Sequence, residues 1–115
     1  SDLKFVRMMI EDENHDVAGI VDIINFDPKN MRAEVGIVIK QKYRNKGYAM
    51  ATLTRIKAYA ANILHLHQLY AYVNKDNNKS LNLFERSGFV QSNELKDWLF
   101  DGKEYHDALL MQLFL

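Results

Sequence analysis

"AEVGIVIKQKYRNKGYAMATL", residues 33 to 53, is the stretch on which the reading of this chain turns. Its first eight residues, Ala33 to Lys40, are rich in β-formers. A basic cluster of Lys42, Arg44 and Lys46 follows, then a single glycine, Gly47, then a run that reads as helix. A strand therefore ends on positive charge, turns on one glycine and enters a helix at once. The first N–H groups of a helix have no partner inside it, and the helix dipole places roughly half a positive charge at that end. Glycine lets an anion approach the backbone. The segment reads either as a phosphate seat or as a plain basic turn. It is not an ATP-type P-loop, because no Gly-x-x-x-x-Gly-Lys-Ser/Thr occurs, and one glycine makes no dinucleotide fingerprint.

Outward from this stretch, the chain reads as short alternating elements. "LKFVRMMI", residues 3 to 10, and "VAGIVDIINF", residues 17 to 26, are strands separated by the polar turn "EDENHD". Gly19 inside the second strand signals a bulge or a close backbone approach. The only proline, Pro28, breaks the chain before a third strand, "RAEVGIVIK", residues 32 to 40. Short turns between the three predict an antiparallel meander. The helix then spans Gly47 to Leu64, with Met50, Leu53, Ile56, Ala60, Ile63 and Leu64 as its apolar stripe. "QLYAYVN", residues 68 to 74, is a strand. Ser80 to Ser87 is a short helix with Leu81, Leu83 and Phe84 inward, closed by Gly88. "FVQSNEL" and "YHDALLMQLFL" are the last strands, joined through the hairpin signal Asp101-Gly102. The predicted order is β-β-β-α-β-α-β-β: an α/β (α+β) fold with a mixed, mostly antiparallel sheet.

Composition narrows the classes. With 115 residues and 48% apolar side chains, the chain is one domain with a single core. Fifteen basic and fifteen acidic residues cancel, which argues against a nucleic-acid surface. No cysteine is present, so disulfides and thiolate metal sites are excluded, and no clustered carboxylates suggest a metal. No apolar run reaches the roughly 18 residues of a membrane span, and no signal peptide is visible. The expected location is cytoplasmic. The chain opens on Ser1, and its N-terminus reads as a cut or processed edge.

Three motifs then fall in one order. "RNKGYA", Arg44 to Ala49, resembles the Arg/Gln-x-x-Gly-x-Gly/Ala loop of the GNAT superfamily of N-acetyltransferases. "VNKDNNKSLNLFERSGF", residues 73 to 89, resembles that family's next strand end and helix, with its Asn-x-x-Ser/Ala and Gly-Phe signatures. "DGKEYHDALLMQLFL" resembles the closing hairpin of the spermidine and ribosomal-protein branch. The likeness covers residues 3 to 115. It implies acetyl-CoA as co-substrate, with the pyrophosphate held by the loop Arg44, Asn45, Lys46, Gly47, Tyr48 and Ala49. It implies contacts to the cofactor arm from Asn77, Ser80 and the position of Phe84. Asn77 also reads as a turn residue, and Ser80 equally as a helix N-cap.

Physical chemistry adds a route for the cofactor arm. Pantetheine is an extended amide chain and can pair with a strand edge as a peptide does. If Val35 to Ile39 and Leu69 to Asn74 splay apart, the arm fits between them along Ile37, Val38 and Ile39. A backbone N–H of Ile37 or Val38 could then stabilise an oxyanion. Amine attack needs a neutral amine, which nominates Glu34 as base, although Glu34 also reads as a solvated or salt-bridged carboxylate. Family members often carry an acid at this strand position. Many carry Tyr where Phe84 stands, as the acid for the departing thiolate. Phenylalanine has no proton to give, so Tyr105, water or an unassisted departure takes that part. His15, His65 and His67 read as exposed turn and helix-end residues.

The resemblance starts at residue 3 and lacks counterparts for the family's first strand and two helices, which form much of its acceptor wall. The apolar run Leu3, Phe5, Val6, Met8, Met9 and Ile10 then predicts a homo-oligomer, most simply a dimer. The expected function is acetyl transfer to a primary amine: polyamine-like, small, or a protein N-terminus. The alternative is a CoA-binding or oligomerising module without efficient catalysis.

Overall fold

The structure, a computed structural model, describes residues 6–115. Leu3 and Phe5 lie outside the described residues. Strands β1 (Val6–Glu11), β2 (Val17–Asp27) and β3 (Arg32–Ile39) lead into helix α1 (Tyr48–Asn62). Strand β4 (Gln68–Asn74), helix α2 (Asn78–Arg86), β5 (Val90–Phe100) and β6 (Tyr105–Phe114) complete the order that the sequence predicts. One six-stranded sheet runs β1-β2-β3-β4-β6-β5. All neighbours are antiparallel except β3 and β4, which α1 joins as a parallel pair.

Period two decides which face each strand buries. In β4, Leu69, Ala71 and Val73 are buried, whereas Gln68, Tyr70 and Tyr72 point to the other face. Val21 and Ile23 of β2, Ala33 and Val35 of β3, and Leu109 and Met111 of β6 join the same buried cluster. Leu53, Ile56 and Ala60 of α1 and Phe84 of α2 cover it. Both helices therefore pack on one face. Among the described residues no helix lies on the other.

The stripe on α1 reaches the core at Leu53, Ile56 and Ala60, whereas Met50 is half-buried at the first turn outside that cluster and Ile63 is 62% exposed. The helix ends at Asn62, two residues before the expected Leu64, and Ile63 is its C-cap. His65 takes a left-handed φ of 55°, which turns the chain so that Leu66 is buried instead. Lys57, off the stripe, donates from Nζ to the Ser87 carbonyl at 2.7 Å and ties α1 to the end of α2. The close approach expected at Gly19 is present: a Cβ there would run into the carbonyl oxygen of Val38 on β3.

The sheet parts where the sequence reading needs it to. Parallel pairing of β3 with β4 consists of Arg32 with Gln68, Ala33 with Leu69 and Glu34 with Tyr70, and then stops. Val35–Ile39 continue along β2 alone, with Val35 opposite Ile23 and Ile39 opposite Gly19. Their other edge diverges from β4.

Candidate active site

The edge that β3 frees opens into a cleft of about 750 Å³. One wall is Ile37, Val38 and Ile39. Its end is the turn into α1, with Tyr43, Arg44, Asn45, Gly47, Tyr48, Ala49 and Met50. The opposite wall is one face of α2: Asn77, Lys79, Ser80, Asn82, Leu83 and Arg86. Arg44, Lys79 and Arg86 line this cleft, and among the described residues no carboxylate does.

Local chemistry fixes the turn. Gln41–Tyr43 form a 3-10 turn, and Arg44 donates from Nε to the Ile39 carbonyl at 3.2 Å, so its base is pinned to the end of β3. Asn45 (φ 62°) and Gly47 (φ 85°) both adopt left-handed backbone, which asparagine tolerates and glycine prefers. The first α1 bond runs from Ala51 N–H to the Gly47 carbonyl at 3.1 Å, and no side chain caps the helix. The N–H groups of Tyr48, Ala49 and Met50 precede that first donor and have no carbonyl inside the helix to bond. Nothing lies within 4 Å of where a Gly47 Cβ would stand. The turn thus combines bare helix N–H groups, open space and positive charge.

Tyr43, not singled out in the sequence, anchors this turn from below. It is buried and donates its hydroxyl to Asp12 Oδ2 at 2.7 Å. The other Asp12 oxygen accepts from the N–H groups of Asn14 and Asp16, closing the β1–β2 turn. The bond to Asp12 pushes the Tyr43 phenol up to about 12 and holds Asp12 below its ordinary value. Tyr48 packs edge-on against Tyr43, with ring centroids 5.4 Å apart.

On α2 the cap is Asn77, whose Oδ1 accepts from Ser80 N–H at 3.1 Å. Ser80 is therefore inside the helix and not its N-cap. Both residues line the cleft. Lys79, Asn82 and Arg86 escaped sequence reading, although their spacing of three and four residues places them on one face of a helix.

Ten expected cofactor residues meet in the cleft: Ile37, Val38, Ile39, Arg44, Asn45, Gly47, Tyr48, Ala49, Asn77 and Ser80. Lys46 is exposed on the same turn without lining it. Phe84 is not brought there: it is 5% exposed and packs edge-on against Phe89 in the core. Tyr105 is not brought there either. It is 60% exposed at the start of β6 and stacks on Phe100.

Glu34 holds the last paired position before the strands part, opposite Tyr70. Its neighbours Ala33 and Val35 face the helices, so its carboxylate lies on the helix-free face. There Oε1 accepts from Asn25 Nδ2 at 3.0 Å. Gly36 follows on the same face, with nothing within 4 Å of where its Cβ would be. Burial, and then the Glu34 charge, raise the Tyr70 phenol above its ordinary value. The cleft and Glu34 thus address the splay from its two sides. An extended thioester in the gap would be open to a nucleophile from the face that carries Glu34.

The profile of the acetyltransferase (GNAT) domain family matches residues 2–90. The spermidine N(1)-acetyltransferase of Vibrio cholerae is 31% identical over 107 residues, covering 93% of this chain and 62% of that protein. The Escherichia coli K12 enzyme of the same name is 29% identical, with 94% and 58% covered. The Escherichia coli [ribosomal protein uS5]-alanine N-acetyltransferase is 26% identical, covering 91% of this chain and 55% of that protein. The chain thus spans about three-fifths of the length of these relatives. A solved chimera of the Vibrio cholerae spermidine N-acetyltransferase SpeG superposes with a TM-score of 0.93 at 30% identity, covering 98% of this chain and 71% of that one. A dodecameric structure of the Vibrio cholerae enzyme gives 0.92, with 98% and 66% covered. With the domain profile matched across most of its length, the chain belongs to the GNAT family of acetyltransferases.

Proposed function

We propose that this chain binds acetyl-CoA in the cleft and transfers the acetyl group to a primary aliphatic amine by direct attack. The observation that carries the reading is the end of β3–β4 pairing at Glu34 and Tyr70, beside a cleft lined by cations. The acetyl-CoA pyrophosphate sits on the bare N–H groups of α1 and Arg44, and Lys79 and Arg86 add charge along α2. The pantetheine arm pairs with the free edge of Ile37–Ile39 and passes Asn77 and Ser80. The thioester then stands in the gap, where an N–H of Ile37 or Val38 meets the developing oxyanion.

The acceptor enters from the helix-free face. Glu34 takes a proton from the ammonium, directly or through water, and the neutral nitrogen attacks the carbonyl carbon. The C–N bond forms, the nitrogen gives up its second proton to solvent water as the amide forms, the C–S bond breaks, and the thiolate collects its proton from solvent. The spermidine N-acetyltransferases among the relatives support a polyamine-like acceptor. We place the protein in the cytoplasm; among the described residues no helix is long and apolar enough to cross a membrane. We also infer self-association, which the dodecameric relative supports. Thiol release from acetyl-CoA in the presence of spermidine, a monoamine or an N-terminal alanine peptide tests the reading. Amine-dependent release, fastest with spermidine, is expected. No release above the hydrolytic background with any of the three would contradict it.

A further inference from the structure

The helix-free face carries a second concavity, of about 320 Å³, lined by Arg32, Gln68, Tyr70, Tyr72, Leu110 and Gln112. Its aromatic groups continue beyond its rim. The Tyr70 and Tyr72 rings meet edge-on, with centroids 5.8 Å apart, and Tyr72 lies 5.5 Å from Trp98. Trp98 is 52% exposed, an unusual position for the chain's only tryptophan. It reaches Tyr72 because β5 bulges between Leu95 and Leu99. At that bulge Asp97 takes a φ of 50°, and its N–H is held by Asp107 Oδ1 at 2.9 Å. The register sets Glu34 beside Tyr70 at the head of this row, where the strands part.

We propose that Tyr70, Tyr72 and Trp98, with Glu34 at their head, seat the acceptor as an alkylammonium ion and select substrates that carry a second charged nitrogen. The inference rests on the acetyl-transfer reading and adds the residues that set its specificity. Aromatic faces and a carboxylate both attract cations. The cation that lines the concavity, Arg32, is directed to Asp27 Oδ2 at 3.4 Å. The side-chain amides of Gln112 and Gln68 are hydrogen-bonded to each other at 2.8 Å. One amine nitrogen held at Glu34 stands at the gap, while a distal ammonium rests on Tyr72 and Trp98. A neutral amine tail would forgo the second contact. Asp107 acts as a positioning residue, since it holds the bulge that turns Trp98 towards the row.

Trp98 reports on its own site, because no other tryptophan contributes to the emission. Spermidine titrated with CoA present, so that no transfer occurs, is expected to change the emission saturably. A neutral diol of similar length should not. Tyr72→Leu should weaken spermidine about 2- to 30-fold, the range for loss of one cation–π contact, and Tyr72→Phe should restore it. The KM for spermidine should rise in parallel, with CoA affinity unchanged. If Tyr72→Leu does not fold, Trp98→Leu followed by calorimetry carries the same test on a half-exposed side chain. Equal affinity in the Leu and wild-type proteins, equal binding of the diol, or no saturable change would overturn the proposal. Thiol release that persists beside a flat emission would sink the aromatic seat and leave acetyl transfer standing. Ring-dependent spermidine binding without any thiol release would do the reverse.

Discussion

Gly47 has two duties that separate by mutation. Its φ of 85° favours glycine, and its missing side chain leaves open space at the start of α1, with nothing within 4 Å of where a Cβ would stand. Gly47→Val should remove most affinity for CoA in a folded protein, because a branched side chain fills that space. Gly47→Asn keeps access to the left-handed conformation, as Asn45 does two residues earlier, and should lose less. Calorimetry that finds CoA affinity unchanged in Gly47→Val would remove the turn from the site. Glu34→Gln keeps a polar group beside Asn25 but cannot accept the proton. Turnover should fall about 100-fold with CoA affinity little altered, the usual weight of a general base. An unchanged rate and pH profile would exclude Glu34 from the chemistry. The turn was legible because charge, glycine and helix onset are adjacent in sequence. The Lys79–Arg86 wall was not, since it belongs to the cleft only once α2 has docked. Nor was Tyr43, whose partner Asp12 lies 31 residues earlier.

Elements were legible in kind and less so at their ends. Type followed from period two in β4 and from spacings of three and four in α1. The cap of α2 moved from Ser80 to Asn77 because an asparagine carbonyl reaches Ser80 N–H and starts the helix earlier. β5 runs on to Phe100, past the expected stop at Leu95, because bulges break its alternation. The β5–β6 turn held the expected Asp101-Gly102 signal, with Gly102 at φ 97°. Asp101 Oδ1 accepts from Lys103 and Glu104 N–H, and Oδ2 lies 2.7 Å from His106 Nε2. That contact raises His106 above its ordinary 6.5 and pulls Asp101 down to about 2. The histidine's contribution is full below its unfolded value and fades as pH rises through the raised folded one. The aspartate's is full above its unfolded 3.8 and fades as pH falls towards about 2. Asp101→Asn retains the turn acceptor and removes the charge. His106 should then titrate lower in proton NMR, and the thermal midpoint near neutrality should depend less on pH. A His106 titration that does not move would show that the pair has no such coupling.

Among the described residues, both helices cover one face of the sheet and none lies on the other. The helix-free face carries the proposed acceptor row, and β1 is an edge of the sheet among the described residues, with Met9 56% exposed. Unpaired edges and exposed apolar groups favour association, so multi-angle light scattering at high micromolar concentration should show a species larger than a 13.4 kDa monomer. A stable monomer would mean that this edge protects itself. We propose the gap between β3 and β4 as the acetyl-CoA site. Amide NMR shifts recorded during a titration with CoA test it most directly. Saturable shifts are predicted at Ile37–Ile39, at Asn45 to Met50 and at Asn77 to Ser80, with β1 and the β5–β6 turn unmoved. Shifts absent from the α1 N-terminus, or centred on the helix-free face, would contradict the account.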